Sequence, residues 1–139
     1  MLLRFAVGLV KGCIAGALLG YPLVAQGLAM PPAVAAYPAA LALAVVSAEI
    51  AGTKPWEPAG RIQVMIKGVI GVVLAPLLLL LARTLLTIPL PLAALRIFPP
   101  VARLVGDAHG LTVGGFAMTS LALVGAVLAG LFDADDRRR

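Results

Sequence analysis

LTVGGFAMTSLALVGAVLAGLF, residues 111–132, runs for 22 residues without one charged side chain. A helix needs about 20 mostly apolar residues, at a rise of about 1.5 Å each, to cross the ~30 Å hydrocarbon core of a bilayer. The run therefore predicts a membrane-spanning helix. Three further stretches read the same way. Residues 5–30 are interrupted only by Lys11 and Gln26, residues 33–52 carry Glu49 near their end, and residues 65–88 are bracketed by Lys67 and Arg83.

The rest of the composition agrees. Of 139 residues, 62% are hydrophobic and 12% charged, with mean hydropathy +1.08. A soluble chain is roughly 45–50% apolar and about 25% charged. So few charges cannot cover a water-facing surface, which excludes a soluble enzyme, a nucleic-acid-binding module and a disordered chain together. Aromatics at 5% also argue against a membrane β-barrel with its aromatic girdles. The expected fold is all-α: a polytopic integral membrane protein, one domain over 1–139, with four transmembrane helices. Arg4 and the apolar run after it look like the opening of a signal peptide. Lys11 interrupts that run, however, and the glycine spacing within it needs the helix to stay, so the stretch reads as a span.

The net charge of +5 is topogenic rather than a nucleic-acid footprint, because the basic residues are scattered except for Arg137, Arg138 and Arg139. With the amino terminus in the cytoplasm, eight basic residues lie inside: Arg4, Lys11, Lys54, Arg61, Lys67 and the three terminal arginines. Arg83, Arg96 and Arg103 lie outside. Eight against three places both termini in the cytoplasm. The absence of Asn and the excess of Arg over Lys hint at a high-GC bacterial genome, hence a bacterial inner membrane. Cys13 is the single cysteine and permits no internal disulfide.

Prolines 89, 91, 99 and 100 forbid a continuous span through 89–110, since each removes a backbone donor and disfavours helix before it. Two short apolar pieces there each hold one arginine. They are expected to lie in the membrane interface, with Arg83, Arg96 and Arg103 at the level of anionic lipid headgroups or a partner's acidic face. A re-entrant loop is the alternative.

Gly8, Gly12, Gly16 and Gly20 recur at every fourth position and share one helix face. In lipid, helices associate through close van der Waals contact, which such small-xxx-small stripes permit. The second span has Ala36, Ala40, Ala44, Ala48 and Gly52 at the same spacing, and the fourth has Ala122, Ala126 and Gly130. The stripes are either packing seams within the chain or subunit interfaces. A faint repeat is also visible: Val10-Lys11-Gly12-Cys13-Ile14 resembles Ile66-Lys67-Gly68-Val69-Ile70 at an offset of 56, each followed by a proline-broken helix. Two hairpins duplicated in parallel would give that pattern.

Charges inside spans are expensive and mark function by default. Glu49 is the only acid within a predicted span, and Lys11 and Lys67 fall at similar depth, so a Lys11–Glu49–Lys67 polar station is expected. It would be a structural ion pair or a station for an ion or headgroup. Other chemistry is sparse. His109 is the only histidine, Asp107 lies beside it in a loop, and Ser47 and Ser120 have no intramembrane histidine partner. No catalytic residue, metal site or cofactor is assigned.

The sequence resembles two families in part. A glycine-striped helix followed by a helix with one Glu looks like the rotary ATPase ring subunits, whose acid lies mid-membrane and whose hairpin loop is polar. Here Glu49 is near a helix end and the first connection is uncharged. The opening Arg4-Phe5-Ala6-Val7-Gly8 and the four-span plan are similar to GtrA-like proteins, which act on polyprenyl-linked sugars. That family's aromatic, Asn-rich helix ends are missing, and no residue is carried over from either family. The expected function is a small non-enzymatic membrane protein, an accessory or assembly subunit of a larger membrane complex or a homo-oligomer, packed through its stripes. The alternative is a small transporter, channel or lipid flippase working around Glu49.

Overall fold

The computed structural model describes residues 2–51, 56–91, 93, 96–105 and 110–135. They form an all-helical fold with helices α1 (Leu2–Ala25), α2 (Ala33–Ile50), α3 (Pro58–Leu85), α4 (Pro99–Val105) and α5 (Ala117–Asp135). Four of them, all but α4, are long and apolar enough to cross a membrane. The chain is a multi-pass helical membrane protein in its architecture.

Helix boundaries follow local chemistry. α1 stops at Ala25, short of the expected 30, because Gly27 takes a left-handed φ of +80°. The Gly27 amide then donates to Val24 O at 2.9 Å and the Leu28 amide to Leu23 O at 2.8 Å, the paired bonds of a Schellman cap. α3 begins at Pro58, earlier than the expected 65, with Pro at its first position and the Glu57 carbonyl receiving the Gly60 and Arg61 amides. Pro22, Pro38 and Pro76 sit inside α1, α2 and α3. The helices run through them, so the expectation of proline-broken helices is corrected.

The charge-free run itself needs the largest correction. α5 starts at Ala117, and residues 111–114 instead lie extended along 86–90. The Leu90 amide donates to Leu111 O (2.8 Å), that of Val113 to Ile88 O (3.0 Å) and that of Gly114 to Leu86 O (2.9 Å). These bonds satisfy backbone that has left the α3 ladder. Gly114 is required here, since a Cβ at that position would overlap the Ala82 carbonyl.

α1 packs chiefly on α5, α2 chiefly on α3, and α2 and α5 touch between them. α1 and α5 are antiparallel, since Gly8 meets Ala129 and Gly20 meets Ala117. So are α2 and α3, where Lys67 reaches Ala51 and Gly71 meets Ala44, whereas α2 and α5 run parallel and end on the same side of the bundle. The core between α2, α3 and α5 holds Leu43, Leu79, Leu121, Val124, Leu128 and Phe132 among alanines. The two-pair plan is one a duplication would leave, but the register disagrees. The buried stripe of α1 includes Gly12, Gly16 and Gly20, and that of α3 includes Gly71, Ala75 and Leu79, an offset of 59 rather than 56. Gly12 lies in a tight contact, whereas nothing lies within 4 Å of a Cβ at its sequence counterpart Gly68.

Candidate functional site

The glycine stripe faces α5. A Cβ at Gly8 would sit 2.5 Å from Ala129 O, and one at Gly20 would sit 2.7 Å from the Met118 Cα. At Gly12 and Gly16 it would overlap the carbonyls of Gly125 and Leu121 outright. Gly125 reciprocates, because a Cβ there would strike the Gly12 carbonyl. The backbones of α1 and α5 thus meet directly at Gly12 and Gly125, the approach that side-chain-free positions allow in lipid. Of the two alternatives left open by the sequence, the packing seam is the one the geometry matches: Gly8, Gly12, Gly16 and Gly20 are buried inside the chain against α5. Ala36, Ala40, Ala44 and Ala48 are also buried, but in the cluster with α3 and α5 rather than against α1's stripe. Gly52 lies outside the described residues.

The expected polar station is rearranged. Lys67 is 3% exposed, on the inward face of α3, and its Nζ donates to Phe132 O at 2.9 Å and to Ala51 O at 3.5 Å. Ala51 caps the C-terminus of α2 and Phe132 lies in the last turn of α5. A helix leaves its last four carbonyls without internal partners and carries partial negative charge there. One ammonium therefore satisfies the ends of two helices at once. Beside it Asp133 is buried and faces Lys11, with Nζ to Oδ2 at 3.9 Å and the lysine side chain half exposed. Glu49 is on the exposed face of α2 and forms no ion pair among the described residues. The grouping is thus Lys11, Lys67 and Asp133, and the expected Lys11–Glu49–Lys67 cluster is corrected. The signal that would have found Asp133 was in the sequence: it is the first charge after the apolar run, at the level of both lysines.

One turn before Ala51 on α2, Ser47 is fully buried and its Oγ has no hydrogen-bond partner. The described hydroxyls of Thr84, Thr119 and Ser120 donate back to main-chain carbonyls. Among the described buried side-chain nitrogens and oxygens, only Ser47 Oγ has no partner.

At the opposite end of the bundle, Arg83 is half-buried and donates to the Pro31 carbonyl in the connection between α1 and α2. It holds that connection against α3, so the expectation of a headgroup contact is corrected for Arg83. Arg96 and Arg103 are both exposed. Lys54, Asp107, His109 and the terminal arginines lie outside the described residues. Among the described residues no group of three His, Cys, Asp or Glu side chains is placed to hold a metal ion. Set against protein-family models, curated proteins and solved structures, the chain matches none of them.

Proposed function

We propose that this chain is a small non-enzymatic membrane protein, an accessory or assembly subunit of a larger membrane complex or a homo-oligomer, with both termini in the cytoplasm of a bacterium. The observation that carries the reading is the outward face of α3. Its small-residue face is packed against α2 and α5, and Ile62, Met65, Ile66, Val69, Val73 and Leu77 form a continuous apolar stripe on the other side. Contact with another subunit then runs over this face rather than the glycine stripe, which supports association without freeing any part of the internal seam. The test is crosslinking in the native membrane from single cysteines at Val69 and Val73, in a Cys13→Ser background. An adduct of defined mass supports the reading; a chain that stays monomeric at both positions and in native mass measurement counts against it.

The second reading, a small transporter, channel or lipid flippase, draws on Lys67 and the unpaired Ser47 hydroxyl, buried polar groups on neighbouring helices. Flux into proteoliposomes, compared between the native chain, Glu49→Gln and Ser47→Ala, is its assay. Sealed vesicles in all three cases remove it.

A further inference from the structure

α4 is anchored on one side only. Val101 and Val105 are buried against Val24, Leu111, Phe116 and Ala117 at the end of the bundle where α1 finishes and α5 begins. With those two positions inward, Arg103 and Leu104 occupy the outward side of the same short helix, and both are exposed. Just before α4, Arg96 is exposed, with Ile97 at 74% and Phe98 at 64%. Within nine residues, 96–104, the chain thus exposes three large apolar side chains and two guanidinium groups outside any spanning helix. Neither arginine forms an ion pair among the described residues. The described acids, Glu49, Glu57, Asp133 and Asp135, all lie at the opposite end of the bundle, so among the described residues this surface is basic.

Cations interleaved with exposed apolar groups complement an anionic amphiphile. An acidic protein face would answer the arginines and leave Ile97, Phe98 and Leu104 in water. A phospholipid answers both, with acyl chains against the apolar groups and its phosphate within two-point reach of guanidinium. We propose that the outward surface of residues 96–104 docks an anionic glycerophospholipid of the leaflet at this end, with Arg96 and Arg103 holding its phosphate. Arg83 takes no part, because its guanidinium is turned to Pro31. The proposal rests on the membrane-spanning reading of the four long helices.

The test uses the full chain in vesicles of mixed phosphatidylglycerol and phosphatidylcholine, extracted in mild detergent, with the retained lipid counted by native mass spectrometry. The native chain is expected to retain phosphatidylglycerol above its bulk fraction. Arg96→Gln/Arg103→Gln should lower that enrichment by about fivefold for each arginine, the factor equivalent to roughly 1 kcal/mol per basic residue near an anionic surface. Arg4→Gln/Arg61→Gln removes the same charge from exposed positions at the opposite end and should leave the enrichment unchanged. A native chain without enrichment, or an equal fall in both double variants, overturns the proposal. Ile97→Ser/Phe98→Ser keeps both charges and should lower the total lipid retained; no change there also overturns it. Alkaline carbonate extraction of the native chain separates the two premises. A chain that washes out has lost the membrane reading, whereas one that stays and shows no enrichment has lost only the lipid site.

Discussion

Gly12 and Gly68 are the same residue type at equivalent positions of the weak sequence repeat, and they should respond to the same substitution with opposite sign. Gly12→Ala places a methyl group on the Gly125 carbonyl. Separating the two backbones should cost about 1–3 kcal/mol, the range for overpacking a fitted contact. Gly68→Ala meets nothing within 4 Å in α3, so the better helix propensity of Ala should give a gain of up to about 1 kcal/mol. Reversible unfolding in mixed micelles reads both. A loss at both positions would mean that the α3 surface at Gly68 is covered. The polar interior has a similar contrast. Lys67→Met leaves the Phe132 and Ala51 carbonyls without the ammonium and should destabilise by about 2 kcal/mol, since buried acceptors left unsatisfied cost about 1–3 kcal/mol each and relief of the buried charge offsets part of that. Ser47→Ala removes a hydroxyl that has no partner. The substitution should be neutral or stabilising by about 1 kcal/mol; destabilisation comparable to Lys67→Met would show that Ser47 is hydrogen-bonded in the membrane. Legibility in the sequence divides along the same line. Lys67 stood out as a charge in an apolar run, but main-chain carbonyls carry no letter, so its partners did not.

At the scale of elements, the α1–α5 seam is the tightest contact in the bundle, and the sequence marked small residues on both sides of it: Ala122, Ala126 and Gly130 of the fourth span lie against Gly16, Gly12 and Gly8. Four glycines at every fourth residue announced a close-packed face. The matching positions on α5 are Ala129, Gly125, Leu121 and Ala117, and that set includes a leucine because at Leu121 only the backbone is touched. Small-residue spacing pointed equally to the α2 alanines, which do share a buried face but meet α3 and α5, so spacing alone did not choose between the two helices. Gly12→Leu/Gly16→Leu is expected to insert as the native chain does and to open this seam. A Cβ at Gly130 would meet only side-chain atoms, with the Leu9 Cγ at 3.4 Å. A disulfide engineered between Leu9→Cys and Gly130→Cys, in a Cys13→Ser background, should therefore form in the native seam and fail in the double leucine variant. Efficient crosslinking in both would mean that the seam tolerates large side chains. The run 111–132 makes the complementary point. Hydropathy cannot distinguish its first residues from the helix that follows, and their extended state is decided by main-chain bonds to 86–90.

For the whole molecule, four spans return the chain to its starting side, so reporters fused at Leu2 and after Arg139 should report the same compartment. Opposite responses would require a different number of crossings. The proposal that this side is the cytoplasm draws on the basic excess in the sequence near the inner ends of the helices. How many helices cross, and that the chain belongs in a bilayer, was determined by the sequence itself. Each span must satisfy its own backbone within its own hydrogen-bond ladder, so length and hydropathy are enough to identify it. Which helices pair, that Lys67 and Asp133 gather at one end while Glu49 faces outward, and that Arg83 clamps a connection instead of a headgroup were decided only by the tertiary structure. In lipid every apolar face is equally at ease against the solvent, so hydrophobicity does not choose the partner. Shape and a few main-chain acceptors do, and those exist only once the helices have met.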